Sequence, residues 1–132
     1  MKRRPETGLV GPGGGRRGDG GQAEPAPRSR DEFLVLASLQ RAPLHGYGIS
    51  QSVRERTSGR VRLRPGNLYR VLDRLLERGL LELADRRPAR DRDDQRRTYY
   101  RLTPQGRRAL AMEAELLADV ALEVISLSPA KA

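Results

Sequence analysis

The chain contains no cysteine and no tryptophan, one histidine and one phenylalanine, and aromatic residues make up only 4% of its 132 positions. Without thiols there is no disulfide framework to demand an oxidising compartment, no thiolate nucleophile and no thiolate metal site. The lone histidine, His45, has no second imidazole with which to share a metal or relay a proton, so it reads as a helix-start residue whose ring bonds a local backbone group. No apolar run approaches the roughly 20 residues of a membrane span. The arginine-bearing start lacks the apolar stretch of a secretory signal, so the chain is expected to be cytoplasmic with no membrane partner. Asp91, Asp93 and Asp94 suggest an acidic metal loop, but the turn glycine and closing glutamate of a calcium hand are missing and arginines surround them. From its residues the chain is expected to carry no cofactor, no metal and no enzymatic activity.

What it has is positive charge: 26 basic against 17 acidic residues, a formal net charge of +9. A polyanion-binding protein shows this balance, because each phosphate it neutralises releases a counterion. Only two of the basic residues are lysine, as a codon bias toward G and C also produces, so charge alone carries little weight. With 36% hydrophobic residues, the chain supports one modest domain plus unstructured sequence.

Residues 1–30 hold glycine clusters and Glu24-Pro25-Ala26-Pro27, which cannot bury apolar surface, and are expected to be a disordered tail. With seven basic and three acidic residues, this tail reads either as a solvated extension or as an arm for a minor groove. Next, Phe33 to Leu39 is apolar almost all round, a helix buried in a small domain, with Asp31 and Glu32 at its positive end. Beyond Pro43, residues 48–56 form a second helix with Ile49 and Val53 on one face, and Leu44-His45-Gly46-Tyr47 leads into it.

The densest information lies between Arg64 and Gly79. Leu68, Val71, Leu72, Leu75 and Leu76 make one apolar stripe at 3.6 residues per turn, while Asn67, Arg70, Arg74 and Glu77 point the other way. Either this is an ordinary surface helix or it is a DNA-reading element held by its packing. Gly79 sits where a C-cap glycine belongs, and Leu80 to Leu83 follows as a strand. A charged loop over residues 86–97 precedes a second strand, Thr98 to Thr103. Helix, strand, charged loop, strand is the outline of a winged helix.

Leu44-His45-Gly46-Tyr47-Gly48-Ile49, Pro65-Gly66-Asn67-Leu68-Tyr69, Glu77-Arg78-Gly79-Leu80-Leu81 and Arg97-Thr98-Tyr99-Tyr100-Arg101-Leu102-Thr103-Pro104-Gln105-Gly106 occur in that order. Together they resemble the PadR family of bacterial winged-helix transcriptional regulators from about Asp31 to Gly106. The resemblance implies a homodimer on double-stranded DNA, usually a repressor, whose third helix enters the major groove. It also implies that small molecules or cell signals can loosen such dimers from DNA; with no tryptophan and a terminal helix of Leu, Ala and Val, this chain reads either as a purely aliphatic interface or as one that takes an unidentified small-molecule effector. Where the family has a small capping residue before the Pro-Gly pair, this chain has Arg64, which weakens the helix cap and offers a phosphate contact instead.

The expected fold is mainly α with a small two-stranded antiparallel sheet: a winged helix-turn-helix over residues 31–103, a C-terminal dimerisation helix over 104–127 and a short tail over 128–132. Thr103-Pro104 supplies the cap and first position of that last helix. Along it Leu110, Ala114, Leu117, Ala121 and Val124 alternate spacings of four and three, a coiled-coil seam, and Leu116, Val120 and Leu127 add a second stripe. A small domain covers one stripe, so either the second pairs with another protomer or one broad face folds back on its own domain.

In a dimer, two recognition helices would meet a palindrome with half-sites about 34 Å apart. Asn67 and Arg70 are expected to read base edges, with Arg64 and Tyr69 on phosphates and Arg74 serving either purpose. Tyr69 competes as a core-edge residue, and Tyr47 stands in the same position. Gly66 is expected to let the backbone approach DNA. In the wing, Arg90, Arg92 and Arg96 are expected at phosphates or the minor groove. Two other readings remain: a basic RNA-associated protein, for which exposed aromatics are scarce, and a winged-helix protein-interaction adapter without sequence-specific DNA binding.

Overall fold

Polar side chains cap three of the four helices among the described residues. In the computed structural model, which describes residues 25–84 and 98–129, the order is α1 (Arg30–Ser38), β1 (Leu44–His45), α2 (Gly46–Arg56), α3 (Pro65–Glu77), β2 (Leu81–Leu83), β3 (Tyr99–Leu102) and α4 (Pro104–Leu127). Ser29 Oγ accepts from the Glu32 N–H at 3.1 Å, His45 Nδ1 from the Gly48 N–H at 3.1 Å and Thr103 Oγ1 from the Gly106 N–H at 2.9 Å. Each satisfies an amide that has no partner within its helix. The His45 ring thus does what its place in the sequence suggested. α3 is the exception, for Arg64 makes no side-chain cap and Pro65 alone pre-sets the first turn.

Helix ends follow from backbone hands. Gly79 adopts φ +76°, with its N–H on the Leu76 carbonyl and the Leu80 N–H on the Leu75 carbonyl, which closes α3 in a Schellman turn and turns the chain into β2. α2 closes in the same way, but its left-handed residue is Ser58 at φ 53°, followed by Gly59 at φ 79°.

The sheet is three-stranded and antiparallel, ordered β1-β3-β2. β1, absent from the two-stranded expectation, is a two-residue pairing of Leu44 with Tyr100 and His45 with Tyr99. A pairing so short leaves no alternation to read. Across β2 and β3, Glu82 faces Arg101 and the two form an ion pair at 2.8 Å.

One core joins all elements. Val35, Leu36 and Leu39 of the α1 segment, Ile49 and Val53 of α2, and Leu68, Val71, Leu72 and Leu75 of α3 meet Leu80, Leu81, Tyr100 and Leu102 from the sheet. α4 contributes Ala109 and Leu110. It seats closely because Gly106 has no side chain: a Cβ there would overlap the Leu80 carbonyl. Leu110, expected on the dimer seam, is instead a core residue, since the first turns of α4 dock on α1 and β3 before the helix leaves the domain.

The first turn of α1 is tied to both ends of α3. The carboxylate of Glu32 is buried and accepts from Arg78 Nη1 and from the Arg28 N–H, each at 2.8 Å. Arg78 also donates to the Ala26 carbonyl. Residues 26–30 are therefore part of the packed domain, because Ser29 caps α1 and Arg30 opens it. The rest of the expected tail, residues 1–24, lies outside the described residues, as do residues 130–132 and the expected wing loop with Arg90, Arg92 and Arg96.

Candidate nucleic-acid interface

At about 100° per residue, the stripe Leu68, Val71, Leu72, Leu75 leaves an outward arc of α3 made of Gly66, Tyr69, Arg70, Asp73, Arg74 and Glu77, all exposed. Arg70 and Arg74, one turn apart, stand open on it. Asp73 and Glu77 alternate with them, so uncompensated positive charge concentrates at the start of the helix, where Arg62 and Arg64 are also exposed. The first turn of α3 holds no acidic residue, and its unpaired amides favour an anion there.

Asn67 is placed differently. It lies on the border of the arc nearest α1, is half-buried, and its Nδ2 donates to Asp31 Oδ2 at 3.2 Å. In this conformation it braces α3 against α1, and the structure does not bring its amide together with Arg70 as an outward pair. Reading a base would require releasing Asp31. The sequence pattern showed both as polar positions on one side of the helix, but only the α1–α3 crossing reveals a carboxylate within reach of one of them.

Tyr69 occupies the opposite border. Its hydroxyl fills the space over Gly46 at the start of α2, where a Cβ would overlap it, while 47% of the residue stays exposed. The same phenol can therefore brace α2 and present an edge to solvent. Behind it, burial, then the neighbouring Tyr69 phenol and the Asp73 carboxylate, hold the Tyr100 phenol above its ordinary value of 10, so it stays neutral. Tyr47 is 68% exposed, with its ring stacked on His45 at 6.4 Å. Gly66 has no atom within 4 Å of where a Cβ would sit. Nothing inside the described chain requires glycine at that position.

An exposed, arginine-bearing third helix beside a β2–β3 pair is a DNA-binding winged-helix arrangement, and comparison with known proteins agrees. The sequence profile of the "Transcriptional regulator PadR-like family" matches residues 35–112, more than half of the chain. This chain belongs to the PadR-like family of transcriptional regulators. Its fold is similar to that of a PadR family transcription regulator from Clostridium difficile, with 23% identity, a TM-score of 0.64, and coverage of 74% of this chain and 97% of that one. A transcriptional regulator from Clostridium thermocellum gives 23% identity and a TM-score of 0.62 over 75% of this chain and 90% of that one. A PadR-like regulator from Bacillus cereus gives 22% and 0.62 over 73% and 88%.

In sequence, the chain is 41% identical over 87 residues to an uncharacterized 37.1 kDa protein in transposon TN4556 of Streptomyces fradiae. That match covers 66% of this chain but only 23% of the relative's length. PadR membership implies DNA-binding regulation. Among the described residues no helix is long and apolar enough to cross a membrane.

The sequence reading missed two groups. Glu32 and Arg78 look like ordinary surface charges until α1 and α3 are docked. Arg30 and the distant pair Arg56 and Arg60 line one pocket. Arginine at residues 54, 56, 60, 62 and 64 was the available signal for the second group.

Proposed function

We propose that this PadR-family chain is a homodimeric repressor that binds a palindromic operator through α3. The observation that carries the proposal is the outward arc of that helix, with Arg70 and Arg74 open, Gly66 unobstructed and Arg64 at a start that lacks a side-chain cap. Arg70 reads a base edge, guanine being its best bidentate partner. Arg64 and Tyr69 hold phosphates, and Arg74, a turn further on, takes either. Asn67 contributes to readout only if it exchanges Asp31 for adenine; otherwise it sets the pitch of α3 on α1. Tyr47 at the start of α2 and the wing arginines Arg90, Arg92 and Arg96 extend the backbone contacts.

Dimerisation is supported by α4. Beyond its docked first turns it exposes Leu116, Leu117, Val120, Val124 and Leu127, together with Ala114 and Ala121. A contiguous apolar surface of this kind is rarely left to water. Pairing α4 with the α4 of a second copy covers it and sets two α3 helices for successive major grooves. An apolar groove of about 370 Å³ between α1 and α4, lined by Phe33, Ala37, Leu102 and Leu110, is the place where an unidentified small-molecule effector would act on that pairing.

The test is selection of bound sites from a random duplex library by the full chain. A palindrome with half-sites about one helical turn apart is expected, and Arg70→Ala should relax preference at one position per half-site by about 1–3 kcal/mol. Retention of duplexes without sequence preference would overturn the operator reading and favour the adapter.

A further inference from the structure

A basic pocket beside the connection that leads into α3 is left unused by the proposed interface. It has a volume of about 310 Å³ and lies where the first turn of α1 meets the end of α2 and the connection to α3. Arg30, Arg56 and Arg60 line it together with the apolar Leu34 and Val61, and among the described residues no carboxylate lines it.

The pocket is built by ordered backbone. The Thr57 hydroxyl donates to the Val53 carbonyl at 2.9 Å and accepts from the Val61 N–H at 3.0 Å, which pins both sides of the turn. Ser58 and Gly59, both left-handed, carry Arg60 round to the pocket. Arg56 Nε is held by Ser52 Oγ at 3.1 Å, leaving its terminal nitrogens as donors. Arg30 stands at the first residue of α1, the positive end of the helix dipole, where a cation is disfavoured. Three arginines sharing one pocket repel one another, and a bound anion relieves that repulsion.

We propose that Arg30, Arg56 and Arg60 form a phosphate-binding site that grips the DNA backbone outside the groove read by α3. This rests on the DNA-binding reading above. Two continuities favour a duplex phosphate over a free one. Residues 60–64 run without helix from the pocket to the α3 start, placing Arg60, Arg62 and Arg64 along one path no longer than about 14 Å. On the other side, Arg30 adjoins Asp31, the residue bonded to Asn67 in the first turns of α3. The site therefore extends the protein footprint beyond the half-site and contributes affinity without sequence information.

The experiment measures binding of the full chain to its selected palindrome, and to a scrambled duplex of equal length, across a salt series. One phosphate lost per protomer should lower the slope of log K against log salt by about 0.9, or about 1.8 for a dimer. Arg56→Ala/Arg60→Ala is expected to show that loss on both duplexes, with the ranking of sequences unchanged, while Arg56→Lys/Arg60→Lys retains most of the slope. Trimming the palindrome to its half-sites should reproduce the loss in the unmodified protein. An unchanged slope in the alanine variant, with its melting curve confirming the fold, would overturn the site. Saturable binding of inorganic phosphate that the alanine variant abolishes, with the duplex slope unaltered, would overturn the duplex as its source. Equal affinity of the unmodified chain for palindrome and scramble would sink the operator reading alone, because the slope change still reports the phosphate contact.

Discussion

α3 and α4 are both amphipathic, yet one is finished within a single chain and the other is not. In α3, Leu68, Val71, Leu72 and Leu75 are all buried, and what remains outside is mainly charge. In α4, burial stops at Leu110, and the large apolar residues from Met112 to Leu127 are 43–78% exposed. The first helix can be held rigidly at a fixed angle because a complete core lies behind it. The second presents a surface whose cover must come from elsewhere. On the proposed reading, DNA readout and pairing with a second copy fall to helices that differ in how much of their apolar face the domain itself covers.

That contrast can be broken most severely in α3. Leu72 is fully buried, so Leu72→Ala should cost about 2–5 kcal/mol in urea unfolding at fixed protein concentration, the loss of transfer energy plus a cavity. Glu32→Ala comes next. It removes the carboxylate from the Arg28 N–H and from Arg78, which keeps its bond to the Ala26 carbonyl; with that bond and 17% exposure of Arg78 the cost should fall near the lower end for a broken buried pair, about 3 kcal/mol, by the same measurement. Asp31→Ala removes the brace on Asn67 and one acidic charge from the first turn of α1, and should cost about 1 kcal/mol. Its more telling readout is the Asn67 side-chain amide signal, which should shift toward that of a solvated amide. The comparison is sharpened by Leu117→Glu/Val124→Glu in α4: unfolding of the single chain should change by no more than about 0.5 kcal/mol, while sedimentation shifts from dimer to monomer.

Much of this architecture is visible from local chemistry. Thr103-Pro104 marks the start of α4, Gly79 the end of α3, and the 3.6-residue stripe of α3 names its buried side without any structure. What escaped reading depends on distant residues meeting. Leu110 fits a coiled-coil seam by spacing, but its place in the core is decided by how closely Gly106 lets α4 approach Leu80. Asn67 shares a polar side with Arg70 by pattern, but Asp31, 36 positions earlier, captures its amide. β1 is too short to carry any periodicity. The pocket of Arg30, Arg56 and Arg60 joins two helices and a turn, so it exists only after folding.

The measurement that bears most directly on the central claim is the affinity of the full chain for its selected palindrome when about five base pairs, half a helical turn, are inserted between the half-sites. If two α3 helices are fixed in one dimer, the insertion rotates one half-site out of reach, and binding should fall to the level of a duplex carrying a single half-site. Undiminished affinity for the lengthened palindrome would contradict it.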